Sequence, residues 1–398
     1  MNQAPVFTEA QLFGKPAAPP VSPHAAKESG IDPHNPFDND TEFRHYNADY
    51  GYIVPQIRIP GCKIPVKPNR QEKSKIRKYY NIAGFGALGH IVLSNMLSLG
   101  FMLVFFMIAS VVDAARLAGE MPENYDTLLE DYFLNSSSAI AMNLTVYMLC
   151  NVIVTLIGLK ISKTPVSSLF QTRDLHASTM IGYMFIAIGL QQICGYLAYF
   201  ITVLMEGMGI TAFEADFSTT TDIKSVVLMA IYTCIVAPVT EELLFRGFFL
   251  KNLSRVSQRF GIVMSAVLFG LWHENIAQFV LAFFVGIFMG YITVKHNSIV
   301  PAIICHMTVN TASELFSLAE TYGLDMLYNV MNWIYMGFAL FGTLLLIVML
   351  LRERLPYTTP HQAERGTRLA LTSIPLVVSI IIHVVMTIVL ILQESGIV

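Results

Sequence analysis

The sequence predicts an all-α fold: a polytopic transmembrane helix bundle of about eight to nine spans behind a polar, partly disordered N-terminal tail. Three observations predict it. Only 13% of the 398 residues are charged, about half the share usual in globular proteins. Hydrophobic residues make up 54% of the chain with a mean hydropathy of +0.55, gathered in long runs that a water-facing helix could not hide. The first 80 residues, by contrast, hold 11 of the 18 prolines and 19 of the 53 charged residues, with no apolar stretch long enough to insert.

That first segment reads as an extra-membrane tail. Its start lacks the basic region, apolar stretch and small-residue cleavage site of a signal peptide, so the first span is expected to direct topology. From Tyr46 to Pro68, tyrosines and Ile/Val-Pro pairs suit an extended segment on a surface, with no partner identified. Apolar stretches then follow near 82–112, 139–159, 177–204, 224–251, 261–275, 277–294, 298–319, 328–351 and 370–392. Most exceed the roughly 20 residues needed to cross a hydrocarbon core about 30 Å thick. The 261–275 stretch does not. It is a shallow span in locally thinned bilayer, a re-entrant segment, or the first arm of a hairpin broken at His273-Glu274-Asn275.

Orientation follows from basic residues beside the spans. Lys67, Arg70, Lys73, Lys75, Arg77 and Lys78 precede the first, which keeps that end cytoplasmic. With nine crossings, the other inner loops carry Lys160, Lys163 and Arg173, then Lys251, Arg255 and Arg259, then Lys295, then Arg352, Arg354, Arg365 and Arg368. The outer loops carry Glu120, Glu123, Asp126, Glu130 and Asp131, then Glu206, Glu214, Asp216 and Asp222. The expected product is a multi-pass protein of the cell membrane with its N-terminus inside and its C-terminus outside. A net charge of −3 gives no electrostatic case for a nucleic-acid partner. Five cysteines show no C-x-x-C spacing, and four lie in apolar runs where they pack as small hydrophobes.

An ionisable group inside hydrocarbon costs a few kcal/mol on insertion scales and needs a partner, a wet cavity or a function. Three stretches hold such groups. The fourth contains Pro238-Val-Thr-Glu-Glu-Leu-Leu-Phe-Arg246. Glu242 and Arg246 share a helix face at i,i+4, whereas Glu241 is turned about 100° away, so one acid is paired and the other free. Pro238 removes one helical hydrogen bond and opens or bends the helix a turn earlier. The fifth stretch ends Phe269-Gly-Leu-Trp-His273, and the seventh holds His306-Met-Thr-Val-Asn310. Counted from Lys251, Arg259 and Asn297, the offsets to Glu241, His273 and His306 are 10, 14 and 9 residues. At about 1.5 Å per residue these become roughly 15, 21 and 14 Å. The three groups lie within about a turn of one depth, which suits a shared cavity open toward the cytoplasm.

In E-E-x-x-x-R, F-x-x-x-H and H-x-x-x-N, in that order and on separate helices, the chain resembles the CAAX protease and bacteriocin-processing (CPBP, or Abi) family of intramembrane proteases, which includes the type II CAAX prenyl endopeptidases. The resemblance covers about residues 223–318 and replaces no motif position. Together with the composition and the apolar stretches, it divides the chain into a cytoplasmic tail (1–80), N-terminal transmembrane helices (81–220), a catalytic core (221–320), the one part that rests on the resemblance, and C-terminal transmembrane helices (321–398). It implies an endopeptidase of metallo- or glutamic type acting on a membrane-associated peptide or protein. Glu241 would activate water, His273 orient it or bind a metal, and His306 and Asn310 stabilise the oxyanion. Glu242 and Arg246 would form a structural pair that positions Glu241.

Two histidines and a glutamate match a catalytic zinc site, with His273 and His306 as candidate ligands, and equally suffice for metal-free hydrolysis. No H-E-x-x-H occurs, since His273-Glu274 lacks the second histidine. The competing reading is a scaffold, immunity protein or ion-coupled transporter that uses the cluster structurally or for proton movement. His90, Asn95, Gln191, Gln192 and His383 read as packing or cavity residues. Glu314, one turn beyond Asn310, extends the polar face outward.

Overall fold

The structure is a computed structural model that describes residues 70–116, 137–172, 175–211, 223–255, 257–353 and 367–395. The tail up to residue 69 lies outside the described residues. So do Arg173, Arg354 and Arg365, and the outer-loop acids Glu120, Glu123, Asp126, Glu130, Asp131, Glu214, Asp216 and Asp222.

Among the described residues, nine helices follow the nine apolar stretches in order: α1 (Arg70–Arg116), α2 (Ser137–Ile161), α3 (Ala177–Gly207), α4 (Ile223–Leu253), α5 (Gln258–Leu271), α6 (Ile276–His296), α7 (Val300–Thr321), α8 (Asp325–Arg352) and α9 (Ile374–Glu394). No strand is present among the described residues. Seven of the helices are long and apolar enough to cross a membrane. The two exceptions have different causes. α5 has only 14 residues, roughly 21 Å of rise. α7 has 22 residues but carries His306, Asn310, Glu314 and Glu320.

Helix ends pair on two faces of the bundle. At one face Arg77 Nε donates to Thr372 Oγ1, Ile299 N–H donates to Leu169 O, and Lys295 Nζ donates to Glu353 Oε1 at 2.5 Å. At the other, Ser225 Oγ donates to Ser137 Oγ and Thr211 N–H to Ser395 Oγ. The start of α1 and the end of α9 therefore lie on opposite faces, as alternating crossings require.

Lipid offers no hydrophobic driving force between spans, so close backbone approach and interhelical polar contacts must hold them. α3 packs on α8, α6 and α7, α1 on α2 and α9, and α5 against α6. A Cβ at Gly342 of α8 would lie 1.7 Å from Phe185 O of α3, so only glycine permits that crossing. The ring of Phe248 on α4 fits between Gly86 of α1 and Gly158 of α2, where a Cβ would come within 2.4 and 2.2 Å of it. α4 is thereby enclosed, and its neighbours include α1, α2, α5 and α7.

α4 is a broken helix. Tyr232–Val236 and Leu243–Phe249 wind as π-helix, leaving a single α-helical stretch, Ala237–Glu242, between them. The first π segment explains itself from sequence. Ala237 N–H bonds back five residues to Tyr232 O, which bypasses Thr233 O, and the next residue is Pro238, with no N–H to offer. Single π turns inside α-helices are rare and frequently mark functional sites.

Candidate active site

The short stretch Ala237–Glu242 presents the two acids. Glu242 points inward and is fully buried, as is Arg246. Arg246 Nη1 donates to Glu242 Oε1 at 2.7 Å and Nη2 to Gly286 O of α6 at 3.3 Å. The guanidinium lies 4.4 Å from the centre of the Phe269 ring. A buried charge is tolerable only when paired and hydrogen-bonded, and three helices supply the pairing here. It is incomplete: among the described residues, Glu242 Oε2 and Arg246 Nε have no hydrogen-bond partner.

His306 of α7 joins the same carboxylate. Its Nδ1 lies 2.9 Å from Glu242 Oε1, and because an ionised carboxylate only accepts, Nδ1 carries the proton. Nε2 then faces Glu241 Oε2 at 3.8 Å. Glu241 keeps a quarter of its side chain exposed and forms no ion pair with an arginine among the described residues.

His273 closes the arrangement from the end of α5. Its Nδ1 donates to Phe269 O at 2.8 Å, since a carbonyl can only accept. Nε2 is left with no hydrogen-bond partner among the described residues. The rings of His273 and His306 both meet Phe269 edge-on, at 5.2 and 5.6 Å. Glu241, Arg246 and His306 are within electrostatic reach of His273. α5 stops there because the chain turns: Glu274 takes a left-handed φ of 52°, and Asn275 Oδ1 caps α6 by accepting from Gln278 N–H.

Asn310 is placed differently from the other motif residues. Its Nδ2 donates to Thr233 O at 2.9 Å, the carbonyl that the π turn and Pro238 leave open. One amide hydrogen is thus engaged in joining α7 to α4, and the second remains. Glu314 makes no hydrogen bond or ion pair with this group among the described residues, while its neighbour Ser313 accepts from Gln191.

Several polar residues that read as isolated in sequence have partners. His90 Nε2 and Asn151 Oδ1 lie 2.9 Å apart, and Asn151 Nδ2 donates to Thr240 Oγ1. Gln191 Nε2 donates to Ser313 Oγ and Val309 O, and its Oε1 accepts from Tyr335 OH. His383 Nδ1 donates to Ser379 O, and its ring stacks on Trp272. Apart from the bond of His383 to Ser379 one turn back, these contacts join different helices, so spacing carried no signal of them.

The donor types for zinc are present: both imidazoles have Nδ1 tied to an acceptor, as metal-bound histidines commonly do for the nitrogen that does not hold the metal. However, no group of three or more His, Cys, Asp or Glu side chains among the described residues is placed to hold a metal ion.

No curated protein and no solved structure is matched. Residues 223–312, which contain all of the motif side chains from Glu241 to Asn310, match the model of the family described as type II CAAX prenyl endopeptidase Rce1-like. The chain is a multi-pass membrane protein, and over α4 to the middle of α7 it carries the pattern of a CAAX-type intramembrane protease.

Proposed function

We propose that this protein is an intramembrane endopeptidase that hydrolyses a peptide bond of a membrane-associated peptide or protein, with Glu241 as general base. The observation that supports it most is the pairing pattern of two adjacent acids. Glu242 is locked by Arg246 and His306, while Glu241, one residue earlier, is partly exposed and faces the free nitrogen of His306. A carboxylate that served only packing would not be left without a strong partner inside a bundle.

In this reading His273 Nε2 accepts from the attacking water and aims its oxygen at the substrate carbonyl. Glu241 takes the water proton as the C–O bond forms. His306, acting as an imidazolium whose Nδ1–H is held by Glu242, donates its Nε2–H to the oxyanion together with the second amide hydrogen of Asn310. Glu241 then returns its proton to the leaving nitrogen as the C–N bond breaks, giving a carboxylic acid and an amine. The site opens toward the basic face, which is cytoplasmic, and the bundle resides in the cell membrane with its C-terminus outside.

Membranes from cells carrying wild type and Glu241→Gln are compared by quantitative proteomics. An uncut precursor should accumulate in the variant and be cut when purified wild-type protein is added. Equal processing by both forms overturns the assignment in favour of a scaffold or transporter. Elemental analysis with activity after chelation tests the metal-free route, and stoichiometric zinc whose removal abolishes cleavage would replace it with a zinc mechanism.

A further inference from the structure

We infer that His90, on a helix outside the family-matched stretch, is a positioning residue for both Glu241 and His273, acting through the residue that precedes each. The inference rests on the endopeptidase reading above and adds to it the part that holds the site in register.

The first arm is a directed chain of hydrogen bonds across three helices. His90 Nε2 donates to Asn151 Oδ1 at 2.9 Å, Asn151 Nδ2 to Thr240 Oγ1 at 3.3 Å, and the Thr240 hydroxyl to Ala237 O at 3.3 Å. All three side chains are buried. Thr240 immediately precedes Glu241 and sits in the one α-helical stretch between two π segments. A π segment on each side leaves the rotation of that stretch weakly fixed by its own helix. A tether from α1 and α2 onto Thr240 fixes it from outside.

The second arm is a clamp on Trp272, the residue before His273. The His90 ring meets Trp272 edge-on at 4.8 Å, and the His383 ring of α9 stacks on it at 4.4 Å with 27° between planes. Phe245 and Phe249 of α4 close the remaining sides at 5.5 and 5.9 Å. Trp272 lies where α5 ends and the chain turns, a place where hydrogen bonding alone would leave the His273 ring loosely aimed. One imidazole thus reaches the neighbours of both Glu241 and His273, one through its nitrogen and the other through its ring.

The two contacts can be separated by substitution. His90→Gln keeps an N–H donor near the Nε2 position and removes the ring, whereas His90→Phe keeps the ring and removes the donor. Thr240→Val removes the hydroxyl at constant shape, and Thr240→Ser restores it. The probe is the precursor that accumulates in Glu241→Gln membranes, cut by purified variants in micelles. His90→Gln, His90→Phe and Thr240→Val should each lower kcat about 10- to 100-fold, the scale expected for misplaced catalytic groups, with KM unchanged and Thr240→Ser near wild type. Gln191→Leu, which breaks an interhelical amide network elsewhere, should lower the unfolding temperature and leave kcat alone. The inference is overturned if the His90 and Thr240 variants keep wild-type kcat, or if Gln191→Leu, at a comparable fall in unfolding temperature, loses kcat to the same extent as they do. An active Glu241→Gln protein instead removes the endopeptidase reading itself.

Discussion

Two polar clusters cross this bundle at similar depth and are built on opposite principles. In the Gln191 cluster every polar group of the amide is matched: both donations reach α7, and Tyr335 of α8 supplies the acceptor's partner. In the Glu241–Glu242 cluster, charges are buried while Glu242 Oε2, Arg246 Nε and His273 Nε2 remain unmatched. The first arrangement holds three helices together, with the donors and the acceptor of the amide engaged between them. The second keeps acceptors and donors free at considerable electrostatic cost, which is reasonable only where water or substrate completes them.

The contrast sharpens most at Glu241. Glu241→Gln should lower precursor cleavage by roughly 10²- to 10⁴-fold, the usual range for a general base, with little change in unfolding temperature because Glu241 is partly exposed. Next comes Arg246→Ala, which leaves the Glu242 carboxylate buried without its cation. It should destabilise by about 3–5 kcal/mol, read as a fall in unfolding temperature in detergent. The double change Glu242→Leu with Arg246→Met should recover much of that stability but no activity. Gln191→Leu should cost only about 0.6 kcal/mol, typical of interhelical hydrogen bonds in membranes, and spare cleavage. A large loss of cleavage there would erase the distinction between the clusters.

The smallest effect lies at the membrane edge, where Glu353 joins α8 to α6. Burial pushes its carboxyl up, but hydrogen bonds from Lys295 and Tyr291, with the lysine charge, outweigh this and hold it below the ordinary carboxylate range. A depressed acid contributes stability above its unfolded value and loses it as pH falls through the folded one. Unfolding temperature measured from pH 6 down to pH 3 should therefore drop less steeply in Glu353→Gln than in wild type.

Much of this was legible in sequence. Nine apolar stretches marked nine helices because hydrocarbon demands continuous apolar surface. The i,i+4 spacing placed Glu242 against Arg246, and the depth count brought Glu241 and His306 together. The π segments escaped, since a hydrogen bond shifted from i−4 to i−5 leaves no compositional trace. Pro238 did announce a break one turn earlier, but not that Asn310 would answer it. The second partner of Glu242, the Nδ1 of His306, and the contacts of His90 and His383 depend on helix packing that spacing cannot encode.

The bond from Asn310 to Thr233 O makes two distant positions interdependent. With proline at 238 the carbonyl at 233 needs an amide from α7; with an alanine there, the helix could supply its own N–H. Asn310→Ala should thus be harmful to stability alone and nearly harmless after Pro238→Ala, a form of epistasis that constrains the order in which substitutions can accumulate. Any activity still missing from that double variant belongs to the chemistry of Asn310, separated from its role as a fastener.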